Sequence, residues 1–597
     1  PQPPQPMRRL GRVTPASIDE PAEGVYVFDM GEMVTGWTEL AVDLPGGTEL
    51  ELTHAEKLDD DGLADVNQGH VDARLQTDTY VAAGDGVETW EPAFTYRGFR
   101  YVQVEGWPEA SEPDLDTLTG WYVHSNVEAG RTGTENGWES TFECTEPLLN
   151  RIHENTRRGL GNNLHGIPTD SPTYEKNGWT GDVQGTAEAN VYNFDMARFY
   201  EKWLDDCADA QRADGEMPPI VPTSAWGYED SPLGGMSGPL PGWDGAYVFL
   251  PWVLYRHYGD RRALAEHYDG MCALVDYYGG VAEDHVVDVG LGDWLPPGSG
   301  LTADTMKPPE GPAITSTGYY YRMAEVASEA AEVLGHEDDA NEYAALADEI
   351  AAAFHERFWD PDRGYYRTGE VEEYRQTSNV FPLAFGIVPE GKEAQVVDRL
   401  VEDVMETRDG HLNTGFHGTK YLLVTLAEHG HVDAAYTVAS RDTHPSWGHW
   451  ITENDATALY ESWELHSRSR DHPSFGSVDE FFYRSLCGIA PAEPGYSRIE
   501  VRPRIPDDLD SAAGTVDTIR GPVESAWEST DQGVRLDVGI PGNAVGEVYV
   551  PADETDVTVD GGEPAAGAPE RIGTFEGGSV WEVPPGEWTF DTIGQTE

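Results

Sequence analysis

The chain has 597 residues, with 108 Asp and Glu against 38 Lys and Arg and a formal net charge of −70. Acids spread along the whole length repel phosphates and anionic lipids, which argues against nucleic acid or an anionic membrane surface as partner. With 39% hydrophobic residues and 18 tryptophans the chain reads as a folded protein, not an acidic disordered one, and such self-repulsion suits a protein screened by concentrated salt, as in a halophile.

The opening PQPPQPMRRL lacks an initiating Met, so residues 1–24 read as a linker or the remnant of a preceding domain. Export versus the cytoplasm of a salt-adapted cell is left open, the latter favoured. Residues 25–138 then carry short alternating segments, among them VYVFDM, TELELTHAEKL and FRYVQVEGW, separated by turn formers such as PGG and DDDG. Many short strands with turns between them predict an antiparallel β-sandwich.

Across residues 139–488 the period changes to apolar residues three to four apart, as in TEPLLNRIHENTRRGL, QGTAEANVYNFDMARFYEKWLDDCADAQRA and ANEYAALADEIAAAFHERFW. Several of these segments end in Gly, the usual helix stop. With shorter candidates such as DATALYESW and SVDEFFYRSLCG, about a dozen helices are predicted. No fixed repeat period favours an open solenoid, so paired helices closed into an (α/α)6 barrel are expected. Strands return over 489–597 in RIEVRPRI, GVRLDVGI and GEVYVPA, a second β-sandwich. The predicted fold class is thus multidomain, a central (α/α)6 helical barrel flanked by antiparallel β-sandwiches. Cys144, Cys207, Cys272 and Cys487 lie far apart without CxxC spacing, so neither a disulfide framework nor a zinc site is expected. No apolar run approaches the roughly 20 residues that span a bilayer. No cofactor or metal is called for, and the oligomeric state is not readable.

The interrupted parts of the helical region concentrate aromatic and acidic residues: Trp179 in NGWTGD, Trp243 in LPGWDGAY, Trp294 in LGDWLPPG, Trp447 in HPSWGHW and Trp463 in YESWE. An indole stacks on the C–H face of a sugar while Asp and Glu accept from its hydroxyls, so these loops predict a carbohydrate site. Glycosidic bonds are normally cleaved by two carboxyl groups, one protonated and one ionised. In DSPTYEKNGWTGD, Glu175 lies between Asp170 and Asp182 and near Trp179, the setting a general acid needs. Glu461 is the leading partner, with Glu453, Asp293 and Asp244 as competitors.

These segments also resemble a known family. DSPTYEKNGWTGDVQGTAEANVYNFD is similar to the DCPQRE-x-x-GWTGD-x-Q segment of the bacterial α-L-rhamnosidases, glycoside hydrolase family 78. GVYVFDMGEMVTGW, THAEKLDDDG, GDWL, HLNTGFHGTKYLL, HPSWGHWI, DATALYESWE and GIAPAEPGYSRIEVRPR follow in the family's order. The resemblance implies an inverting exo-α-L-rhamnosidase with no metal in its chemistry. Carried over, Glu175 takes the general-acid position and Glu461 that of the water-activating base. Asp170 and Asp182 become hydroxyl-holding carboxylates; Trp179, Trp243, Trp294 and His472 line the rhamnose subsite together with Asp244 and one of Tyr319 or Tyr320. Inversion implies carboxyl groups roughly 6.5–9.5 Å apart.

Two departures stand out. The family's Cys-Pro-Gln-Arg is Ser171-Pro172-Thr173-Tyr174 here, and its WERW is Tyr460-Glu461-Ser462-Trp463. Both lose an arginine, so a carboxylate cluster short of local cations is expected, one member of which retains a proton. The competing readings are another (α/α)-barrel carbohydrate enzyme, whether a different deoxyhexosidase, a uronyl hydrolase or a lyase, and an inactive carbohydrate-binding relative.

Overall fold

The structure, a computed structural model, describes residues 5–66, 73–127, 140–224, 226–231, 236, 238–369, 371–561 and 567–593. Its centre is a closed double ring of helices. Five helices, Thr180–Asn193, Ala246–Tyr258, Ala313–Leu334, Thr377–Ala384 and Phe416–Glu428, are buried on most sides. With residues 478–486, a short α stretch continued by a π turn, each packs on the next and the last on the first, which closes an inner ring. Helices without a polar face have to be enclosed, and the outer ring encloses them.

The outer helices are Pro147–Gly161, Ala197–Ala210, Arg261–Val281, Glu337–Phe358, Glu393–Glu402 and Val432–Ala439. They turn apolar stripes inward, such as Phe199, Trp203 and Cys207, and acids such as Asp205 and Asp209 outward. Gly259 and Gly335 end their helices in the left-handed region, at φ 67° and 87°, where Gly carries no Cβ penalty.

Two helix expectations are corrected. The segment QGTAEANVYNFDMARFYEKW is two helices, broken where Phe194 is fully extended and the Asp195 N–H turns away to donate to Val127 O. DATALYESW is not helical at all. Asp455 caps the Trp447–Asn454 helix at φ 46°, and the chain beyond it folds as a loop.

The N-terminal sheet is antiparallel throughout and organised by the long strand Val25–Val42, which pairs with Arg97–Glu105, Leu118–Ser125 and Glu88–Trp90. Phe28, Leu40, Leu52, Phe99 and Val102 form its core. Part of residues 1–24 belongs to this sheet instead of forming a linker: Met7–Val13 pairs with Leu118–Ser125, and Ser17–Ala22 with Val25–Val42. The Arg9 and Arg12 guanidinium groups of this segment lie on aromatic surface, 4.8 and 5.1 Å from the Trp121 ring centre.

The C-terminal sandwich has a five-stranded and a six-stranded sheet, antiparallel except where Arg498–Val501 runs parallel to Val545–Val550. Its six-stranded edge is Thr141–Cys144. This short strand precedes the first barrel helix in sequence but pairs with the far domain in space.

Candidate active site

Two loops at one end of the barrel meet over a cavity of about 570 Å³. The first joins Pro147–Gly161 to Thr180–Asn193 and carries Asp170, Glu175 and Trp179. Both glycines of GWTGD are required by close approach: a Cβ on Gly178 would lie 1.9 Å from Val221 O, and one on Gly181 2.5 Å from the Trp243 indole nitrogen. Lys176 sits in the left-handed region at φ 54°. It is held there by its Nζ, which donates to Tyr96 O at 2.8 Å, while Thr173 Oγ1 donates to Gly98 O at 3.1 Å. Glu175 therefore projects from a segment tied down on both sides by the N-terminal sandwich.

The second loop is residues 455–472. The Glu461 N–H donates to Ser469 O and the His472 N–H to Leu459 O, at 3.1 and 2.9 Å. The fold-back brings Glu461, Arg468 and His472 to the cavity together. The N-terminal sandwich anchors this loop too: Glu56 Oε2 accepts the Arg470 N–H at 2.6 Å, and the Met33 N–H donates to Thr457 Oγ1 at 2.9 Å.

At the centre Arg468 joins the two glutamates. Its Nη2 lies 2.7 Å from Glu461 Oε1 and 3.0 Å from Glu175 Oε1, so those two oxygens are at most the sum of these, 5.7 Å, apart. The arginine Nε also donates to Glu461 Oε2 at 3.2 Å, so Arg468 holds Glu461 at two points. The other Glu175 oxygen accepts from Trp179 Nε1 at 2.7 Å. The oxygens are closer than the 6.5–9.5 Å expected between carboxyl groups, because a guanidinium occupies the space between them. Arg468 also corrects the expected shortage of local cations.

The remaining walls combine polar and aromatic side chains. Asp170 accepts from the Asn177 N–H at 2.8 Å and from Ser171 Oγ at 2.7 Å. His472 Nδ1 lies 3.4 Å from Asp182 Oδ1, and Ser474 Oγ bridges them at 2.6 and 3.3 Å. Trp179, Trp243 and Trp294 complete the lining, with the Trp243 and Trp294 rings edge to face at 6.5 Å. Burial, with Glu175 and Asp182 nearby, pushes the Asp170 carboxyl well above the usual carboxylate range. Burial likewise pushes Asp182 up to about 6, against His472 and Ser474. Burial would raise Glu461 as well, but Arg468, His472 and the Ser469 N–H outweigh it and hold that carboxyl below its ordinary value.

Of the sequence-predicted residues, the structure brings Glu175, Glu461, Asp170, Asp182, Trp179, Trp243, Trp294 and His472 to this cavity. Three others are not among its lining. Asp244 turns back to accept from the Leu240 N–H at 3.0 Å and from the Tyr278 hydroxyl. Tyr319 is buried and bonds His417 Nδ1 at 2.9 Å and Gln184 at 3.3 Å. Tyr320 is buried toward Tyr278 and Gly279. The competitors also fall away: Glu453 is exposed, and Asp293 is a buried structural acceptor for Thr377 and for the Gly415 and Gly418 N–H groups. Trp447 and Trp463 are core, their indoles donating to Phe475 O and Thr414 O. The sequence reading missed Arg468, Trp226 and Ser474 as lining residues. Arg468 sits between Glu461 and His472 in LHSRSRDH, both already singled out, which was the available signal. Among the described residues, no group of three or more His, Cys, Asp or Glu is arranged to hold a metal.

Residues 138–486 match the model of the bacterial alpha-L-rhamnosidase six-hairpin glycosidase domain; 19–124 match the concanavalin-like domain of those enzymes and 488–564 their C-terminal domain. An alpha-L-rhamnosidase of Streptomyces avermitilis is 33% identical over 607 residues, covering 98% of this chain and 53% of that protein. One from Formosa agariphila is 30% identical, covering 89% of this chain and 55% of its own length. The chain thus spans about half the length of these curated relatives. Among solved structures, the alpha-L-rhamnosidase from Dictyoglumus thermophilum superposes with a TM-score of 0.88 at 33% identity, over 99% of this chain and 64% of that one. The Streptomyces avermitilis enzyme complexed with L-rhamnose gives 0.86 at 32%, over 99% and 54%.

Proposed function

We propose that this chain, which belongs to the bacterial α-L-rhamnosidase family, hydrolyses terminal α-L-rhamnose from glycosides with inversion at the anomeric carbon. One juxtaposition supports the reading most: two glutamates from loops 286 positions apart in sequence (175 and 461) meet across one cavity walled by indoles. Glu175 protonates the leaving oxygen, and Glu461, held ionised by Arg468, takes a proton from water on the opposite face of the ring. The sugar enters by displacing the contact between Arg468 and Glu175, which opens the gap the water needs and leaves the Glu175 carboxyl facing the leaving oxygen. Arg468 stays on Glu461 through its two-point contact. Asp170 and Asp182 accept from ring hydroxyls, and the Trp179, Trp243 and Trp294 faces take the apolar side of the deoxysugar.

A nitrophenyl α-L-rhamnoside, assayed beside the matched mannoside, fucoside and glucoside, tests the substrate class. Turnover is expected with the rhamnoside alone or far ahead of the others; equal rates on all four would overturn it. Asp182 provides a finer check. As pH falls through about 6 its carboxyl takes up a proton and loses acceptor capacity, so KM is expected to rise on the acid side. Asp182→Asn is expected to raise KM roughly 10- to 100-fold, the equivalent of about 1–3 kcal/mol for a lost buried hydrogen bond, and to flatten that acid rise. A KM profile with the same acid rise in the variant would remove Asp182 from the sugar subsite.

A further inference from the structure

The inner helices give their N-terminal ends to the cavity already described and their C-terminal halves to a second one, of about 700 Å³, at the other end of the barrel. There the 478–486 stretch runs into the C-terminal sandwich. Six of the 38 basic residues of the chain line this cavity: Arg256, Arg322, Lys420, Arg484, Arg502 and Arg504. Three have carboxylate partners. Lys420 lies 3.1 Å from Glu188, Arg484 lies 2.9 Å from Glu480 and also contacts Glu428, and Arg322 contacts Glu325.

The other three have none within 4.0 Å among the described residues, although acids outnumber bases nearly threefold in this chain. Arg256 donates to Pro491 O at 3.1 Å. Arg502 lies over the Tyr549 and Phe575 rings, at 4.8 and 5.5 Å. Arg504 is tied only by its backbone N–H, to Ser485 O at 2.9 Å, and its half-buried guanidinium has no hydrogen-bond partner in the described protein. Burial lowers its affinity for a proton; Arg502 and Arg484 add to that, against Glu428 and Glu500. Glu500 also lines the cavity but is beyond ion-pair distance of all three arginines.

Six cations face five glutamates in this lining, and three of the guanidinium groups have no carboxylate in direct contact, so a ligand that supplies negative charge would relieve them. The fork geometry of Arg matches tetrahedral and planar oxyanions and is poorly suited to a spherical ion. We propose that this cavity binds a tetrahedral oxyanion, sulfate or phosphate, between Arg256, Arg502 and Arg504, and that the anion fastens the barrel to the C-terminal sandwich. Arg256 comes from the barrel, and Arg502 and Arg504 from the segment entering the sandwich, so one anion crosses the junction.

The test is calorimetric titration and thermal unfolding of the full chain with sodium sulfate and with sodium phosphate, ionic strength being held constant with sodium chloride. A sugar sulfate monoester forms a third arm. Saturable binding of the inorganic anions with a rise in Tm is expected; tighter binding of the ester would identify the terminal group of a larger ligand as the source. Arg504→Gln is expected to weaken binding at least tenfold. Because it relieves repulsion, it should also leave the anion-free Tm unchanged or higher, which a merely structural arginine would not do. Arg504→Lys, which keeps the charge without the fork, should retain part of the affinity. No saturable binding of either inorganic anion, an equal Tm rise with chloride alone, or undiminished binding in Arg504→Gln would each overturn the proposal.

Discussion

Replacing Glu175 by Gln is expected to lower kcat about 100- to 10,000-fold on a rhamnoside with an alkyl leaving group. The loss should be much smaller on a dinitrophenyl rhamnoside, whose leaving group departs without help from an acid. Glu461→Gln should cost a similar factor on both substrates, since an inverting base acts on water whatever leaves. The two variants thus differ in the pattern of loss as well as in its size. Glu175 is fixed by Trp179 Nε1 at 2.7 Å and Glu461 by the two-point Arg468 contact. Both are thereby held at the cavity, and the Arg468–Glu175 contact has to open for a sugar to seat between them. Rates unchanged in both variants, or leaving-group dependence in Glu461→Gln and not in Glu175→Gln, would reverse or remove the assignment.

The second large effect is expected at Arg468. With this guanidinium gone, burial dominates at Glu461, and its carboxyl moves up from its depressed position. In the proposed mechanism Glu461 is a base only when ionised, so activity is expected to fall as pH drops through its pKa. Arg468→Met should therefore shift the acid limb of kcat, read at saturating rhamnoside where the Asp182 effect on KM drops out, to higher pH and lower its plateau. It should also destabilise the fold by about 3–5 kcal/mol, because a buried carboxylate loses its partner. Arg468→Lys restores one contact of the two and should bring the limb part of the way back. If the limb stays in place in Arg468→Met while turnover drops, the arginine acts on substrate alone and not through Glu461.

The cation in that position was the part of the site hardest to read from sequence. The family's arginines are missing from Ser171–Tyr174 and Tyr460–Trp463, which made the cluster look under-neutralised. The charge is supplied seven residues after Glu461, by a loop that folds back through the hydrogen bond from Glu461 N–H to Ser469 O. Such a loop has no period, so spacing carries no hint of which side chains converge. DATALYESW misled for a related reason: its apolar residues are spaced like those of a helix, yet they are buried by a loop wedged between the barrel and the N-terminal sandwich.

Trp179, Trp243 and Trp294 were legible because Gly and Pro beside them break the helices and leave the indoles at the barrel mouth. Asp244, Tyr319 and Tyr320 were misplaced because adjacency to such a Trp, or a place on an inner helix, does not fix a side chain's direction. Asp244 faces its own helix start, and both tyrosines lie on a helix that is buried nearly all round. The alternation of strand and helix zones was strong enough to give the fold. It failed at Met7–Val13 and Thr141–Cys144, whose pairing partners lie in distant parts of the chain.

Inversion needs the gap that Arg468 now fills. Proton NMR of the sugar released in the first minutes from a nitrophenyl α-L-rhamnoside, before mutarotation mixes the anomers, tests it most directly. β-L-Rhamnose is expected first, with the α anomer growing in only at the rate of free-sugar equilibration. If α-L-rhamnose appears first, the short distance between Glu175 and Glu461 is the working distance of a retaining enzyme, and the roles given to both glutamates are wrong.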